Sequence, residues 1–179
     1  MTVSETVTKS GIVPNADYVG IETANDFVLA IQTDKTKQTK KSDWIVCADH
    51  VKEHSGALNA TTNDDEFIRT GPVTTKGTPQ RTLAVNGNRC VGDAFQDFIL
   101  SHKIKFGSGA DVIVPYLYFS LRTGKGESGM ASLILTSDAG GAAGAPATFA
   151  CDVKAVGKPD EFDYTTDTLS DGTLHKAVK

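Results

Sequence analysis

The chain has 179 residues, 39% of them hydrophobic, and a formal net charge of −4. This length predicts a single domain, and the charge argues against a protein that holds nucleic acid by neutralising its phosphates. No apolar run approaches the roughly 20 residues of a membrane-spanning helix, so no membrane insertion is expected.

The N-terminal third combines polar segments with two short apolar runs. Residues 1–26 are polar and Thr-rich, which predicts an N-terminal arm with a short strand near 18–21 and no signal peptide. Strands are predicted at 27–32 and 43–48, on either side of a Lys-rich turn at 34–41. The three cysteines are widely spaced and include no CxxC pair, which predicts reduced thiols of a protein made in a cytoplasm.

The segment 49–80 is long, polar and irregular, which is typical of a functional or disordered loop. Weak strand signals at 66–69 and 73–75 favour an extended hairpin that contacts a neighbouring molecule. A strand is predicted at 81–85, and Asn86-Gly87 is a strong turn signal.

One helix is predicted over about 93–103. Asp93 is a suitable N-cap, and Gln96 follows three residues later as in a capping box. His102 is predicted to lie on its apolar face, packed rather than catalytic. Such a helix cannot bury its own face, so it should pack against a sheet.

The strongest strand signal spans 112–122 and is apolar on both faces, which predicts cover on both. The helix or an opposing sheet would cover one face, and another copy of the chain the other. Pro115 predicts a bulge or an edge position. A hairpin tip is predicted at 123–129, and strands are predicted at 130–136 and 148–156. A weak strand signal lies at 162–165, within a polar C-terminal stretch.

Together these elements predict a mainly β fold in which two packed antiparallel sheets form a sandwich or barrel with one flanking helix. The whole chain, 1–179, is predicted to be one domain. It would comprise the N-terminal arm 1–26, a β core with the helix at 27–156, and a C-terminal arm at 157–179.

Two motifs invite a chemical interpretation. His50, Glu53 and His54 match HxxEH, the inverted zinc-peptidase motif. That chemistry requires a helix and a further ligand, whereas this motif lies between a strand and an irregular segment, so a solvated loop is favoured over a small zinc hydrolase. Gly124-Lys125-Gly126 lacks the spacing of a phosphate loop and precedes a strand, which favours a hairpin tip. No cofactor, metal site or catalytic residue is expected.

Asp64, Asp65 and Glu66 form a carboxylate run without the alternating ligand spacing of a calcium loop. A solvated acidic patch is the simpler interpretation. If the patch faced a channel, it would repel DNA phosphates and keep DNA from sticking.

The order of elements resembles that of the major tail tube proteins of long-tailed bacteriophages. The resemblance is carried by DWIVCADH, GDAFQDFILSHKI, YLYFSLRTGKGESGMASLIL and TFACDVKAVGKPDEF, and covers roughly residues 27–165. It implies a structural, non-enzymatic virion protein that forms stacked hexameric rings, the conduit through which DNA is ejected. A tube subunit of a contractile injection or secretion system is the alternative.

The resemblance also implies partners and contact residues. The partners would be further copies of the chain, a tape-measure protein, tail tip and terminator proteins, and phage DNA that passes through the lumen without specific binding. Assembly would take place in the cytoplasm of the host bacterium. The long loop would supply contacts between rings, for which the candidate residues are Asp49, Glu53, Asp64, Asp65, Glu66 and Arg69. Of these, Asp64, Asp65 and Glu66 are also the candidates for the lumen surface.

Overall fold

The computed structural model describes residues 1–33, 44–170 and 173–175, with the backbone alone for 168–170 and 173–175. The Lys-rich turn predicted at 34–41 lies outside these residues. The helices are α1 (Val3–Ser10), α2 (Ala94–Ile99) and α3 (His102–Phe106). The strands are β1 (Phe27–Ile31), β2 (Ile45–Val46), β3 (Val51–Asn59), β4 (Thr62–Phe67), β5 (Gly71–Lys76), β6 (Gln80–Asn88), β7 (Ile113–Ser120), β8 (Lys125–Gly140), β9 (Thr148–Asp163), β10 (Thr168–Ser170) and β11 (Thr173–His175).

Seven strands form one antiparallel sheet in the order β2-β1-β7-β8-β9-β6-β3, and β4–β5 and β10–β11 form separate two-stranded sheets. The mainly β fold with a flanking helix predicted from the sequence is confirmed. The large sheet is curled, as a contact between two strands that are not neighbours in it shows. The ring of His54 on edge strand β3 lies 6.0 Å, between centroids, from the ring of Tyr118 on β7. Arg81 on β6 reaches the same ring at 5.3 Å.

The curled sheet encloses the larger core cluster, which α2 and α3 cover with Phe95, Ile99 and Ile104. Strands β1, β6, β7, β8 and β9 send alternate residues into this cluster, as the twofold period of a strand requires. The strand residues in it are Leu29, Ile31, Leu83, Val85, Val114, Tyr116, Ala131, Leu133, Phe149, Cys151, Val153 and Ala155.

A second core cluster lies on the other face of β1 and β7, and α1 covers it. Val3 is fully buried there beside Trp44, Leu117 and Phe119. Two predictions were therefore wrong. The first ten residues do not form an extended arm, and the second face of β7 is covered by the same chain rather than by another copy. The strand expected near 18–21 is also absent from the structure.

Pro115 lies in an interior strand, and the β7–β8 register runs past it without a bulge. The prediction of a bulge or an edge position at Pro115 was therefore wrong. The missing N–H of Pro115 nevertheless limits the pairing of β7 with β1. The backbone N–H of Gln32 donates to the Pro115 carbonyl at 3.0 Å, and Pro115 has no N–H to return. The β1–β7 ladder therefore ends at the pair Ile31–Tyr116.

The predicted helix is divided into α2 and α3. Asp93 caps α2, its side chain accepting from the backbone N–H of Gln96 at 2.9 Å. The Gln96 side chain does not complete a capping box but donates to the carbonyls of Asp49 and Asn88, at 2.8 and 3.2 Å. Because the helix breaks at residues 100–101, His102 is exposed rather than packed on an apolar face.

Three predicted boundaries were wrong. Asn86-Gly87 lies within β6 instead of forming a turn; a Cβ on Gly87 would stand 2.4 Å from the His50 carbonyl oxygen, so glycine here serves close backbone approach. The hairpin tip is shorter than 123–129, because β8 already begins at Lys125. The boundary expected at 156/157 falls inside β9, which continues to Asp163.

Asp26 is a buried carboxylate that ties β1 to the end of β7. The backbone N–H of Thr23 donates to it at 2.8 Å, and Arg122 forms an ion pair with it at 2.9 Å. These contacts, the Thr23 backbone bond first, lower the pKa of Asp26.

The three cysteines are free thiols in different settings. Cys47 and Cys151 are buried in the larger core cluster, whereas Cys90 is half-buried. Burial raises the pKa of Cys151 to about 12 and also raises the pKa of Cys47.

Candidate assembly surface

The β4–β5 hairpin projects its side chains into solvent instead of contributing to either core cluster. Its register runs from Thr62–Lys76 to Phe67–Gly71 without a bulge. The turn that follows Phe67 ends at Gly71, whose φ of +77° suits glycine. At the tip, Ile68 is completely exposed and Phe67 is 52% exposed. Large apolar side chains at the end of an exposed hairpin indicate a contact surface.

The sequence-based description of 49–80 as one loop was only partly correct. Residues 62–76 do form an extended hairpin, and the strand signal at 73–75 lies in β5. The signal at 66–69 instead covers the end of β4 and the turn. Residues 51–59 form β3, which pairs with β6 along its length and is an edge strand of the main sheet. Its polar composition suits an edge, because one side of the strand faces solvent.

The predicted inter-ring residues separate into two groups. Asp64, Asp65, Glu66 and Arg69 lie together on the hairpin, and all four are exposed. Asp49 and Glu53 lie at the opposite end of β3. Glu53 accepts a hydrogen bond from the Asn86 side chain at 3.1 Å, and the Asp49 carbonyl accepts from Gln96. Only the hairpin group therefore forms one surface.

The three carboxylates predicted to line a lumen do not share a direction. Asp64, Asp65 and Glu66 are successive residues of β4. Successive side chains of a strand point to opposite faces, so Asp64 and Glu66 share one face and Asp65 lies on the other. Asp65 there accepts from the Asn63 side chain at 3.1 Å. A lumen role for these residues stays a prediction, and at most two of them could serve it on one face.

The HxxEH motif is not on a helix. His50 lies in a turn with φ +57°, and the rest of the motif is in β3, where a register shift separates Val51 from Glu53. The His54 ring is engaged by the Ala24 carbonyl, 3.0 Å from Nε2, and by the edge of Tyr118. Within the described ranges no three His, Cys, Asp or Glu side chains are grouped to hold a metal ion. The motif thus lacks the helical placement that its zinc chemistry needs, and the solvated loop expected instead is a strand.

A groove that the sequence did not predict lies at the base of the hairpin. Its volume is about 360 Å³, and its walls are Leu58, Thr78, Pro79, Gly126 and the 158–161 segment of β9. The groove forms where β9 bulges: Met130 pairs with Val156 and Ser128 with Asp160, so three β9 residues oppose Gly129. A bulge of this kind bends a strand and redirects its side chains. Gly157 and Pro159, which are typical strand breakers, were the sequence signal for it.

Charged groups form the floor of this groove. Arg81 Nε and Glu127 Oε1 are 2.7 Å apart, and both side chains are largely buried. The Tyr116 hydroxyl donates to the same Glu127 oxygen at 3.3 Å, and burial, with the Glu127 charge second, raises the pKa of Tyr116. Glu161, which is exposed, lies opposite Glu127 in the β8–β9 register.

None of the described helices has the length and apolar character needed to cross a membrane. No protein-family model matches the chain, and no curated protein matches it.

Solved structures do match. One is a chain in the virion of a native gene transfer agent particle, with a TM-score of 0.51, 13% identity, and coverage of 79% of this chain and 98% of that chain. Another is a chain in the tail of an empty gene transfer agent particle, refined with C6 symmetry, with a TM-score of 0.53, 14% identity, and coverage of 78% and 98%. This chain has the fold of that tail chain. The resemblance to tail proteins predicted from the sequence is therefore confirmed at the level of fold.

Proposed function

We propose that this chain is a tail tube subunit, which associates with copies of itself into rings of six that stack into a tube for DNA ejection. The observation that carries the proposal is the fold shared with a gene transfer agent tail chain over 98% of that chain. The C6 symmetry of that tail supports six subunits per ring. A subunit with different contact surfaces on its two sides closes into a ring by head-to-tail association.

Two features of the chain support self-association. Strand β3 is an edge of the sheet, so one side of its backbone is available for pairing. The β4–β5 hairpin carries exposed apolar side chains beyond the core, at Phe67 and Ile68. A structural rather than enzymatic role accounts for both features, because neither brings catalytic groups together.

The proposal extends to partners and location. The tube would belong to a virion tail assembled in the cytoplasm of a host bacterium, around a tape-measure protein and between tip and terminator proteins. DNA would traverse the lumen without specific binding. The net charge of −4 suits this role, since the chain as a whole does not attract phosphates.

The proposal is tested by light scattering coupled to size exclusion and by electron microscopy, over a hundredfold range of protein concentration. We expect monomers at low concentration and sixfold rings or stacked tubes at high concentration. A protein that stays monomeric throughout, even with its proposed tape-measure partner from the same genome, would refute the proposal.

A further inference from the structure

We infer that the groove at the base of the hairpin binds the hairpin tip of a second copy of the chain. The inference rests on the proposed function and names the contact through which copies associate. The tip contributes Phe67, Ile68 and Arg69, and the groove is the cavity between Leu58, Pro79 and Pro159 described above.

Shape and polarity are the first argument. Ile68 is completely exposed, and none of the described helices and strands covers it. The groove has apolar walls, including Leu58, which is itself 59% exposed. Joining the two would remove both apolar surfaces from water, which is the dominant favourable term in protein association.

Charge is the second argument. Arg69 at the tip and Glu161 at the groove rim have no ion-pair partner among the described residues. The charged residues that line the groove are two basic ones, Arg81 and Lys158, and three acidic ones, Glu127, Asp160 and Glu161, so their net charge is −1, and Glu127 is already paired with Arg81. An arginine placed beside Glu161 would balance the remaining negative charge. Opposite charges of this kind steer association and fix its register.

Geometry selects a second copy over the chain's own tip. The groove includes Thr78 and Pro79, which immediately follow the hairpin, whereas Ile68 is at its far end. Phe67 lies five residue steps of extended strand from Thr62, a distance of roughly 17 Å. A hairpin closed by a tight turn cannot fold back to its own base. Tip and groove therefore join different copies, head to tail.

Cross-linking between two differently tagged proteins tests the contact. Both carry Cys90→Ser, which removes the half-buried thiol; one adds Thr70→Cys, in the exposed turn beside Ile68, and the other Thr78→Cys. Disulfides form only when Cα atoms approach within about 7 Å, so a mixed dimer reports tip and groove from different copies. We expect this dimer to form at least tenfold faster than with the matched control Thr8→Cys, an exposed site on α1. Equal rates for the two pairs would overturn the inference.

A charge exchange provides an independent readout. Arg69→Glu and Glu161→Arg should each raise the concentration needed for assembly at least tenfold, and the two together should restore it. Rings or tubes that form with no selective cross-link and no rescue would overturn the inference but leave the proposed function standing. Absence of any assembly, under every condition and in the unmodified protein, would refute both.

Discussion

Replacing the β4–β5 hairpin should separate folding from assembly. Asn59 at the end of β3 pairs with Gln80 at the start of β6. The 20 residues between them would be replaced by Asn-Gly, a two-residue loop suited to a hairpin. No side chain of β4 or β5 is buried, so little burial energy is lost. Shortening a flexible connection tenfold would lower its closure cost by at most about 2 kcal/mol. The free energy of unfolding should therefore be unchanged or slightly higher.

The same variant should lose assembly. Fully burying one large aliphatic or aromatic side chain contributes about 1.5–3 kcal/mol; because Phe67 is only 52% exposed, losing both side chains at the tip would cost about 2–4.5 kcal/mol per contact. At 1.4 kcal/mol for each factor of ten, the concentration for assembly should rise at least about thirtyfold.

Urea unfolding followed by fluorescence of Trp44, the single tryptophan, which is buried, measures the first effect. Size exclusion and electron microscopy measure the second. The control is deletion of 49–80, which also removes β3 and should prevent cooperative folding. Destabilisation of the hairpin variant by more than about 2 kcal/mol would show that the hairpin does belong to the core. Normal tubes from a folded variant would show that the hairpin is not an assembly contact.

Three further predictions concern the subunit itself. Val3→Asp places a charge in the second core cluster and should destabilise the fold by about 3 kcal/mol or more. The control Val13→Asp, at a site 84% exposed, should change the free energy of unfolding by no more than about 0.5 kcal/mol. Equal effects of the two substitutions in urea unfolding would mean that α1 is not docked. The lowered pKa of Asp26 means that its carboxylate stabilises the fold fully above the unfolded-state pKa of about 3.9 and ceases to do so as the pH falls through the lower folded-state value. The stability advantage over Asp26→Asn should shrink accordingly in acid titrations, and an advantage that grew on acidification would contradict the assignment. In thiol labelling at pH 8, only Cys90 should react quickly, because the other two cysteines are buried with raised pKa values; rapid reaction of all three would refute this packing.

The elements that the sequence predicted correctly are those whose signals lie within the element or directly beside it. The continuous apolar run along β7 is visible in the sequence because both faces of this strand are buried, and the Asp93 cap is visible because it lies next to the helix it starts. The division of the helix after Ile99 was not predicted, since residues 100 and 101 are compatible with helix and tertiary packing decides the break.

Helix α1 was missed although its signals are present. Thr2 and Glu5 form a complete capping box, with Glu5 accepting from the Thr2 backbone N–H at 2.8 Å. Gly11, with φ +63°, ends the helix as a left-handed cap. The Thr-rich composition obscured these signals, because threonine has a low intrinsic helix propensity. A helix this short also needs tertiary contact, which buried Val3 and half-buried Val7 supply.

Strand β3 and the groove depend on contacts that are distant in sequence. Val51 on β3 pairs with Gly87 on β6, 36 residues later in the chain. Such pairing holds an edge strand even when the strand has no hydrophobic alternation. The groove joins the base of the hairpin to a bulge in β9 some 80 residues later. No local pattern reports that proximity, so sequence reasoning could identify the exposed hairpin but not the groove that we propose as its receptor.

The cover on both faces of β7 bears on how the subunit assembles. Leu117 and Phe119 pack under α1, while Tyr116 packs in the enclosed core, so neither face of β7 is left for a neighbour to cover. A subunit whose core is complete does not need its neighbours in order to fold, unlike an obligate oligomer, whose stability depends on concentration. Under the proposed function, assembly would then depend on smaller contacts at the sheet edges and the hairpin. A pool of folded monomers that joins a growing tube end by end is the expected consequence, and the free energy of unfolding should not change with protein concentration below the assembly threshold.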